Sequence, residues 1–421
     1  MEGRFYVCID LKSFYASVEC VERGLDPMVA NLVVADPARG SGAICLAVSP
    51  ALKALGVRNR CRIFEIPNQM EYITALPRMK LYMEYSARIY SIYLRYISAE
   101  DIHIYSIDEC FIDVTSYCRL YSKTPKELAV MLTDAVRRET GICATVGIGT
   151  NLFLAKVALD ITAKHTPDHL GYLDEAIFKK TVWYHKPITD IWNVGRGIAK
   201  RLERHGIYDL WGVAHCDEAL LYREFGVNAE FLIDHAHGVE PCTIADIHAY
   251  RSKSNSISNG QILFEDYSFE DALLVMREMV DLSVLELVER GLVTDSITLS
   301  VGYSKDTLKP AGGTVKLNEA TNSHKKLEQA FISYFERTVS RNAPIRRLTV
   351  GLNHLVDEEN ATYDLFTDLE AEKREHDLQK TVLDIKKRFG KNAILKGMSL
   401  EEKATARIRN KLIGGHNGGE D

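Results

Sequence analysis

Apolar and polar positions near the start of the chain predict strands that alternate with helices. Residues 4–9 are rich in strand-forming side chains and stop at Asp10, and a helix is predicted to begin directly afterwards. Similar patterns continue as far as residue 165 and predict a layered α/β domain. The predicted elements are strand 4–10, helix 13–24, helix 79–98, helix 125–139, strand 143–149 and helix 151–163.

A hairpin is predicted between residues 102 and 114. Its strands would be Ile102 to Ile107 and Cys110 to Val114, with the adjacent carboxylates Asp108 and Glu109 between them. Neighbouring side chains on a regular strand point to opposite faces, so the two acids could share one site only where the strand breaks into a turn. On this stretch alone, a solvated surface turn is the commoner explanation.

Asp10 changes that interpretation, because it lies at the carboxyl end of the first predicted strand. If that strand pairs with the hairpin, Asp10, Asp108 and Glu109 converge, and three hard oxygen ligands suit Mg²⁺. Three acids are too few for an all-protein cage. They fit instead two Mg²⁺ ions roughly 3.5–4 Å apart that also hold substrate phosphates.

Three separated motifs resemble the signatures of Y-family translesion DNA polymerases, most closely those of the bacterial UmuC and DinB branch. They are Asp10 to Glu19, Ser106 to Asp113, and Gly147 to Asn151 leading into Leu154 to Lys156. The resemblance runs from the N-terminus to about residue 355. It implies an α+β multidomain fold of the right-hand polymerase type, with a palm, small fingers, a helical thumb and an α/β little-finger domain.

The resemblance also divides the chain. We expect the palm at 1–30 and 80–165, the fingers at 31–79, the thumb at 166–240, a tether at 241–250, the little finger at 251–355 and a C-terminal tail at 356–421.

The same resemblance implies roles for individual residues. Asp10, Asp108 and Glu109 would be catalytic, and with the Leu11 carbonyl they would bind the metal ions. Ser13, Phe14, Tyr15, Lys53 and Lys164 would contact the incoming nucleotide.

Tyr15 corresponds to the family's steric gate, whose ring excludes a ribose hydroxyl. Of the two neighbouring aromatic residues we expect Phe14 to face the core. Pro50 stands where many relatives have a tyrosine that touches the triphosphate, so that contact is expected to be missing. Residues 40–49, which correspond to the roof over the nascent base pair, lack large aromatic side chains and would leave room for distorted templates.

DNA contacts are expected in the thumb. The stretch from Ile188 to Leu202 has the Val-Gly-x-Gly turn and following amphipathic helix of a helix-hairpin-helix. Gly195 and Gly197 would let backbone amides approach a phosphate at a helix N-terminus, and Lys200 would add charge.

The net charge of −6 argues mildly against a nucleic-acid partner, but the charges between residues 250 and 350 are segregated. The predicted strands at 250–264, 291–318 and 340–350 carry eight basic and two acidic residues, whereas the predicted helix at 265–290 carries eight acids and two bases. A basic sheet beneath an acidic helix suits DNA on the sheet, although a chance mixture of solvated faces is the alternative. The phosphate candidates are Arg251, Lys253, Lys305, Lys309, Lys316, Arg346 and Arg347.

The tail has a different composition. Residues 357–377 hold nine acids and two bases, which suggests a solvated linker. Within them, Leu365 and Phe366 resemble the Leu-Phe peptide by which bacterial polymerases dock on the sliding clamp, with Thr362 in place of the usual glutamine. These two residues could instead pack on the last domain. We expect a charged amphipathic helix at 372–389 and a frayed end at 414–419.

Composition places the chain among soluble cytoplasmic proteins. No apolar run is long enough to span a bilayer, and the first residues lack the features of a secretory signal. Nine cysteines without a Cys-x-x-Cys pair indicate reduced thiols and no zinc site.

These observations predict a low-fidelity DNA polymerase that extends primers past damaged template bases, with primer–template DNA and deoxynucleoside triphosphates as its substrates. Two alternatives stay open. A palm-type nucleotidyl cyclase or primase could carry similar carboxylates, and a DNA-binding scaffold would have no need of them.

Overall fold

The computed structural model describes residues 3–252, 255–363 and 367–419. Leu365, Phe366 and Lys253, which the sequence assigned to clamp and DNA contacts, lie outside the described residues. The chain divides into two compact units, residues 1–251 and 252–421. No described helix has both the length and the apolar character needed to cross a bilayer.

Among the described residues, the first unit contains eight strands and twelve α-helices, besides short 3₁₀ and π-helical turns. The strands are β1 (Tyr6–Leu11), β2 (Leu32–Val34), β3 (Ala47–Val48), β4 (Ile73–Ala75), β5 (Ile102–Ile104), β6 (Glu109–Asp113), β7 (Ala144–Gly149) and β8 (Leu170–Leu173). The helices are α1 (Phe14–Val21), α2 (Pro50–Ala54), α3 (Met79–Tyr93), α4 (Thr115–Leu120), α5 (Pro125–Thr140), α6 (Leu152–Val157), α7 (Glu175–Thr181), α8 (Arg196–Glu203), α9 (Leu210–Ala214), α10 (Glu218–Phe225), α11 (Ala229–His237) and α12 (Ile244–Ala249).

A five-stranded sheet in the order β5-β6-β1-β7-β8 forms the centre of this unit. Alternate residues of β1 enter two different cores. Val7 and Ile9 pack with α1, α3 and α5, whereas Tyr6 and Cys8 pack with Phe111 and with residues of α6. The sheet is therefore covered on both faces, and Asp10, two residues after Cys8, belongs to the face that α6 covers.

Two smaller cores accompany the central sheet. Strands β3, β2 and β4 form a three-stranded sheet with its own apolar cluster around Val33 and Leu52, within the predicted fingers. Helices α7 to α11 share a core with Phe153 and Leu154 of α6, within the predicted thumb.

Three predictions about this unit need correction. The predicted helix 151–163 is interrupted, because α6 continues as a π-helical turn (Ala158–Thr162) and a 3₁₀ turn (Ala163–His165). Glu109 was expected in the hairpin turn but is the first residue of β6. The predicted tether 241–250 contains α12, whose Ile244 is buried against Tyr6 and Phe111, because an apolar helix face packs more stably on the palm than in water.

The second unit is a four-stranded antiparallel sheet with helices on one face. Its order is β11-β10-β12-β9. Helices α13 and α14 pack on the face that contains Ile297, Leu299 and Leu348. The elements are β9 (Ile257–Tyr267), α13 (Phe269–Arg290), β10 (Leu292–Tyr303), β11 (Ala311–Thr321), α14 (His324–Thr338), β12 (Ile345–Asn353), β13 (Val356–Asp357), α15 (Leu369–Phe389), α16 (Ala406–Arg409), β14 (Leu412–Ile413) and β15 (His416–Asn417).

The residues after 368 fold onto the acidic helix α13. The linker predicted up to residue 377 ends where α15 begins, and the predicted frayed end forms the β14–β15 hairpin. Glu278 of α13 is 2% exposed, and its Oε2 accepts hydrogen bonds from the amides of Thr405 and Ala406 at 2.8 and 3.0 Å. The tail is thus an integral part of this unit, because its backbone amides bond one oxygen of a carboxylate that α13 buries.

Candidate active site

The end of β1 and the start of β6 place two of the predicted carboxylates side by side. Asp10 pairs directly with Glu109 in the antiparallel register, so both side chains leave the same face of the sheet. The amide of Leu11 donates a hydrogen bond to the carbonyl of Asp108 at 2.9 Å. Asp108 therefore lies in the turn that adjoins the Asp10–Glu109 pair, and all three acids lie at one end of the palm sheet.

The electrostatics of Asp10 reflect this crowding. Burial, together with the negative charges of Asp108 and Glu109, raises the pKa of Asp10 to about 7, and Lys164 and Lys156 only partly counteract the shift. A carboxyl group whose ionised form is so disfavoured marks a place where a cation would be stabilised.

Glu109 is already occupied by a cation of the protein itself. Its Oε1 lies 2.7 Å from Nζ of Lys156, a residue of α6 whose side chain is 9% exposed, and it accepts a hydrogen bond from the Cys8 thiol at 3.1 Å. Within the described ranges, no group of three His, Cys, Asp or Glu side chains is arranged to enclose a metal ion. The lysine supplies the positive charge that Glu109 would otherwise lack.

The donor set nevertheless suits a hard divalent cation. Asp10, Asp108 and Glu109 supply only oxygen ligands, and a cation bound among them would relieve the mutual repulsion that, together with burial, raises the pKa of Asp10. The residues present therefore fit Mg²⁺ better than a soft metal, which would prefer sulfur or nitrogen.

The residues predicted to contact a nucleotide follow β1. Ser13 precedes α1 with a left-handed backbone (φ 47°), a strained conformation for a residue with a Cβ that is often retained at functional sites. Phe14 is 2% exposed and belongs to the palm core, as expected, so only its backbone could reach a ligand. Tyr15 is partly buried, and its ring stacks on Tyr82 with centroids 4.6 Å apart.

Lys53 and Lys164 lie within electrostatic range of the carboxylates. Partial desolvation lowers the pKa of Lys53, and the positive charge of Lys164 lowers it further against the attraction of Asp10 and Asp108. Nζ of Lys164 contacts Oδ1 of Asp160 at 3.1 Å, and its side chain is half exposed. Both lysines therefore lie close enough to Asp10 to interact with its charge.

In the thumb, Gly195 precedes α8 and no side chain caps that helix. A Cβ added to Gly195 or Gly197 would meet nothing within 4 Å. Packing within the described chain therefore does not require glycine at either position. The space next to both residues is open, so that an external group could approach the backbone amides. Lys200 is exposed on the same helix.

The basic residues assigned to DNA differ in their surroundings. Arg251 donates to the carbonyls of His248 and Tyr250, so its guanidinium is partly engaged by its own segment. Lys305 is exposed and Arg346 lies 3.7 Å from Asp266. Arg347 is exposed on β12, with its guanidinium over Gly302 of the neighbouring strand, on the side of the sheet opposite the helices.

Sequence reasoning assigned no role to Lys156 or to Glu19, although both lie in its motifs. Glu19 is buried and bonded to Arg23, to the Tyr82 hydroxyl at 2.8 Å, and to Arg78 at 2.9 and 2.8 Å. It therefore fixes the helix that carries Tyr82, the ring beneath Tyr15. The available signal was a charged residue on the apolar side of a predicted helix, which implies a buried partner.

Comparisons with known proteins match both units. The impB/mucB/samB family model matches residues 9–160, and the model of that family's C-terminal domain matches residues 254–365. The chain is 32% identical over 416 residues to DNA polymerase IV 2 of Halalkalibacterium halodurans, covering 97% of this chain and 98% of the relative. It is 31% identical over 423 residues to DNA polymerase IV 2 of Bacillus subtilis, covering 99% of each.

Among solved structures, a Y-family DNA polymerase chimera of Dbh and Dpo4 is similar in fold. Its TM-score is 0.64 at 20% identity, covering 84% of this chain and 99% of the chimera. The multidomain α+β fold predicted from the motifs is thereby confirmed.

Proposed function

Because the chain belongs to the impB/mucB/samB family of Y-family DNA polymerases, we propose that it is a template-directed DNA polymerase that extends primers past damaged template bases. The reaction would join the 3′-hydroxyl of a primer to the α-phosphate of a deoxynucleoside triphosphate and release pyrophosphate.

The register of β1 and β6 is the observation that carries this proposal. It sets Asp10 opposite Glu109, with Asp108 in the adjoining turn. A scaffold protein has no reason to keep three carboxylates at one sheet end, where like charges on facing residues cost stability.

We assign the three acids and the Leu11 carbonyl to two Mg²⁺ ions. Y-family polymerases use divalent metal ions in general, and such ions, when bound, offset the negative charge that develops on the attacking and leaving oxygens. The protein's own part is to hold the carboxylates in register on paired strands, while Lys164 and Lys156 offset part of the burial and repulsion that raise the pKa of Asp10.

Lys53 and Lys164 would hold the triphosphate, and the ring of Tyr15 would lie beneath the sugar. Ser13, with its left-handed backbone, lies between the end of β1 and the start of α1, and we assign it to the same nucleotide site. The stack on Tyr82 favours one position of the Tyr15 ring, and a ring held in place beneath the sugar would clash with a ribose hydroxyl, which supports the steric-gate role.

We assign DNA binding to two surfaces that need no base sequence. The uncapped start of α8, with Gly195, Gly197 and Lys200, suits a backbone phosphate. The sheet face opposite α13 and α14 presents Thr314, Lys316 and Arg347, which are exposed. Small polar side chains with scattered cations suit a phosphate backbone more than a particular base.

Clamp binding through Leu365 and Phe366 remains a separate proposal. Nearby Thr362 is engaged with β11, since its amide donates to the Ala320 carbonyl at 3.1 Å and its Oγ1 accepts from the Ala320 amide at 2.7 Å. Any clamp contact would therefore start from a segment anchored at the sheet edge.

With DNA as its substrate, the protein would work in the cytoplasm of a bacterial cell.

Primer extension tests the proposal directly. A primed template, with or without a modified base, would be incubated with the four deoxynucleotides and Mg²⁺. We expect extension by the wild type and a loss of at least about 10³-fold in Asp10→Asn and Asp108→Asn, because each removes charge from the reacting centre.

Asp113→Asn is the matched control, since Asp113 is a carboxylate at the opposite end of β6, paired with Tyr6. Retained extension in Asp10→Asn would overturn the proposal. Product formation without a primer would instead favour the cyclase or primase, and DNA binding without any synthesis would favour the scaffold.

A further inference from the structure

Lys156 is a buried cation between two carboxylates. Its Nζ lies 2.7 Å from Oε1 of Glu109 and 3.0 Å from Oδ2 of Asp160. Burial by itself would lower the pKa of Lys156, but the charges of Glu109 and Asp160 more than offset that effect and raise it. The lysine is therefore held charged against Glu109.

Asp160 is shared between two lysines. While its Oδ2 faces Lys156, its Oδ1 lies 3.1 Å from Nζ of Lys164. The π-helical turn after α6 carries Asp160, and the following 3₁₀ turn carries Lys164. Charges thus alternate along one connected row, from the partly buried Glu109 through Lys156 and Asp160 to the half-exposed Lys164.

This row joins the two ends of the proposed reaction site. Glu109 is one of the proposed metal ligands, and Lys164 is a proposed triphosphate ligand. Glu109 cannot give its full charge to a metal ion while an ammonium group lies 2.7 Å from its Oε1. Likewise, Lys164 cannot leave Asp160 for a phosphate without altering the charge that Lys156 meets.

We propose that Lys156 is a positioning residue that exchanges partners when a nucleotide binds. In the free protein it occupies Glu109. When a triphosphate draws Lys164 away, Asp160 loses one of its two cations and attracts Lys156 more strongly, which frees Glu109 for the metal ion. Nucleotide and metal binding would then favour each other through the protein, beyond direct chelation of the metal by the phosphates. The inference rests on the polymerase function proposed above.

The test avoids nucleotide altogether, because triphosphates bind divalent ions themselves. Mn²⁺ binding to the nucleotide-free protein would be measured by calorimetry for the wild type and for Lys164→Met, which removes the same cation that a triphosphate would draw away. Losing any nearby positive charge also tightens metal binding.

Lys53→Met is therefore the matched control. It removes an equal charge that, like Lys164, interacts with Asp10, and in the described ranges Lys53 forms no ion pair with Asp160. We expect Lys164→Met to tighten Mn²⁺ binding about fivefold more than Lys53→Met does, which is the lower end of ordinary coupling between sites.

The additional tightening of Mn²⁺ binding by Lys164→Met over Lys53→Met should disappear when Asp160 is replaced by Asn, because Lys156 can exchange partners only if that carboxylate is present. If Asp160→Asn does not fold, Asp160→Ser serves as the second background. Equal tightening by Lys164→Met and Lys53→Met, or an excess that persists without Asp160, would overturn the exchange.

Primer extension separates this result from the proposed function. A wild-type protein that extends primers but shows no excess refutes only the exchange, whereas one that extends no primer refutes the polymerase function itself.

Discussion

Asp10 combines burial with two neighbouring carboxylates, and this makes the stability of the metal-free protein depend on pH. The pKa of Asp10 is raised from its ordinary value to about 7. Between pH 3.8, the ordinary pKa of an aspartate, and pH about 7, the folded state binds more protons than the unfolded state. The free energy of unfolding therefore falls as the pH rises through this range. Asparagine has no such dependence.

We therefore expect Asp10→Asn to raise the melting temperature of the metal-free protein more at pH 8 than at pH 5.5. The gain in the free energy of unfolding caused by the substitution should be about 2 kcal/mol larger at pH 8 than at pH 5.5. Thermal unfolding in EDTA measures it. Adding Mg²⁺ at pH 8 should stabilise the wild type and do little for the variant. An identical change in melting temperature at both pH values would show that the folded protein does not disfavour the ionised form of Asp10.

Tyr15 owes its position to a buried ring and a buried carboxylate. It stacks on Tyr82, whose hydroxyl donates to Glu19. We expect Tyr15→Ala to raise ribonucleotide incorporation by about 10–100-fold, the range that shape exclusion usually gives. Tyr82→Leu should cause a smaller rise, because the gate ring loses its support but remains.

Single-nucleotide extension with matched ribo- and deoxynucleotides checks this, as a ratio of kcat/KM values. Tyr85→Leu is the control, since Tyr85 lies on the same helix and bonds Glu22. Unchanged sugar selectivity in Tyr15→Ala would remove the gate role, and an equal effect of Tyr85→Leu would reduce the Tyr82 result to a general loosening of α3.

The sequence located Asp10, Asp108 and Glu109 because their signals are local. A strand that stops at an acid and a hairpin with acids at its turn can both be seen in short windows. The partner of Glu109 could not be found in this way. Lys156 lies 47 residues after Glu109 in the sequence. The residue type alone does not distinguish a solvated lysine on a helix from one that is buried in an ion pair.

Among the elements, the contact between β7 and α6 sets the distance from Lys156 to Glu109. A Cβ on Gly147 would come within 2.0 Å of the Ala155 carbonyl oxygen, and one on Gly149 within 2.2 Å of the Ala155 amide nitrogen. The two motif glycines therefore serve helix packing, which brings the helix carrying Lys156 against the sheet.

We expect Gly149→Ala to destabilise the protein by about 3 kcal/mol or more, because backbone atoms must move to admit the methyl group. Gly195→Ala should leave the melting temperature nearly unchanged, since nothing lies within 4 Å, and should weaken DNA binding instead. Thermal unfolding and fluorescence anisotropy on a primer–template distinguish the two. A stable Gly149→Ala protein would contradict the packing argument.

Element boundaries show where local patterns fail. The helix predicted at 125–139 matches α5 closely, because a proline start and a periodic apolar face define it, whereas the helix predicted at 79–98 ends at Tyr93 as α3. The tether could not be recognised as helical. The helix α12 has only six residues, and it is held by the burial of Ile244 on a distant sheet face.

At the scale of the whole chain, the predicted basic sheet of the second unit is wrong, because several of the counted bases lie outside the strands. The four strands carry three basic side chains, Lys316, Arg346 and Arg347, and four acidic ones, Glu265, Asp266, Asp295 and Glu319. The acidic helix was predicted correctly as α13, but the sequence did not show which groups meet its acids. Residues 378–411 carry ten bases and three acids. Lys396 lies 2.7 Å from Asp281, and Lys387 lies 2.9 Å from Glu289. Two of the six acids of α13 are thus neutralised by the chain's own tail, which a composition count over 250–350 could not include.

That neutralisation gives a test with internal controls. Lys316 and Arg347 are exposed on the sheet face opposite the helices, whereas Lys387 and Lys396 are paired on the helical side. We expect Lys316→Ala and Arg347→Ala each to lower the slope of log affinity against log salt by about one, because each removes a phosphate contact.

Anisotropy titrations of primer–template DNA between 50 and 200 mM salt would measure those slopes for all four alanine variants. Lys387→Ala and Lys396→Ala change the net charge by the same amount, so a purely global field would affect all four slopes alike. A loss confined to the sheet-face pair would assign the DNA contact to that face, because counterions are released only where side chains meet phosphates. Equal losses in all four would show that the sheet face has no special part in binding.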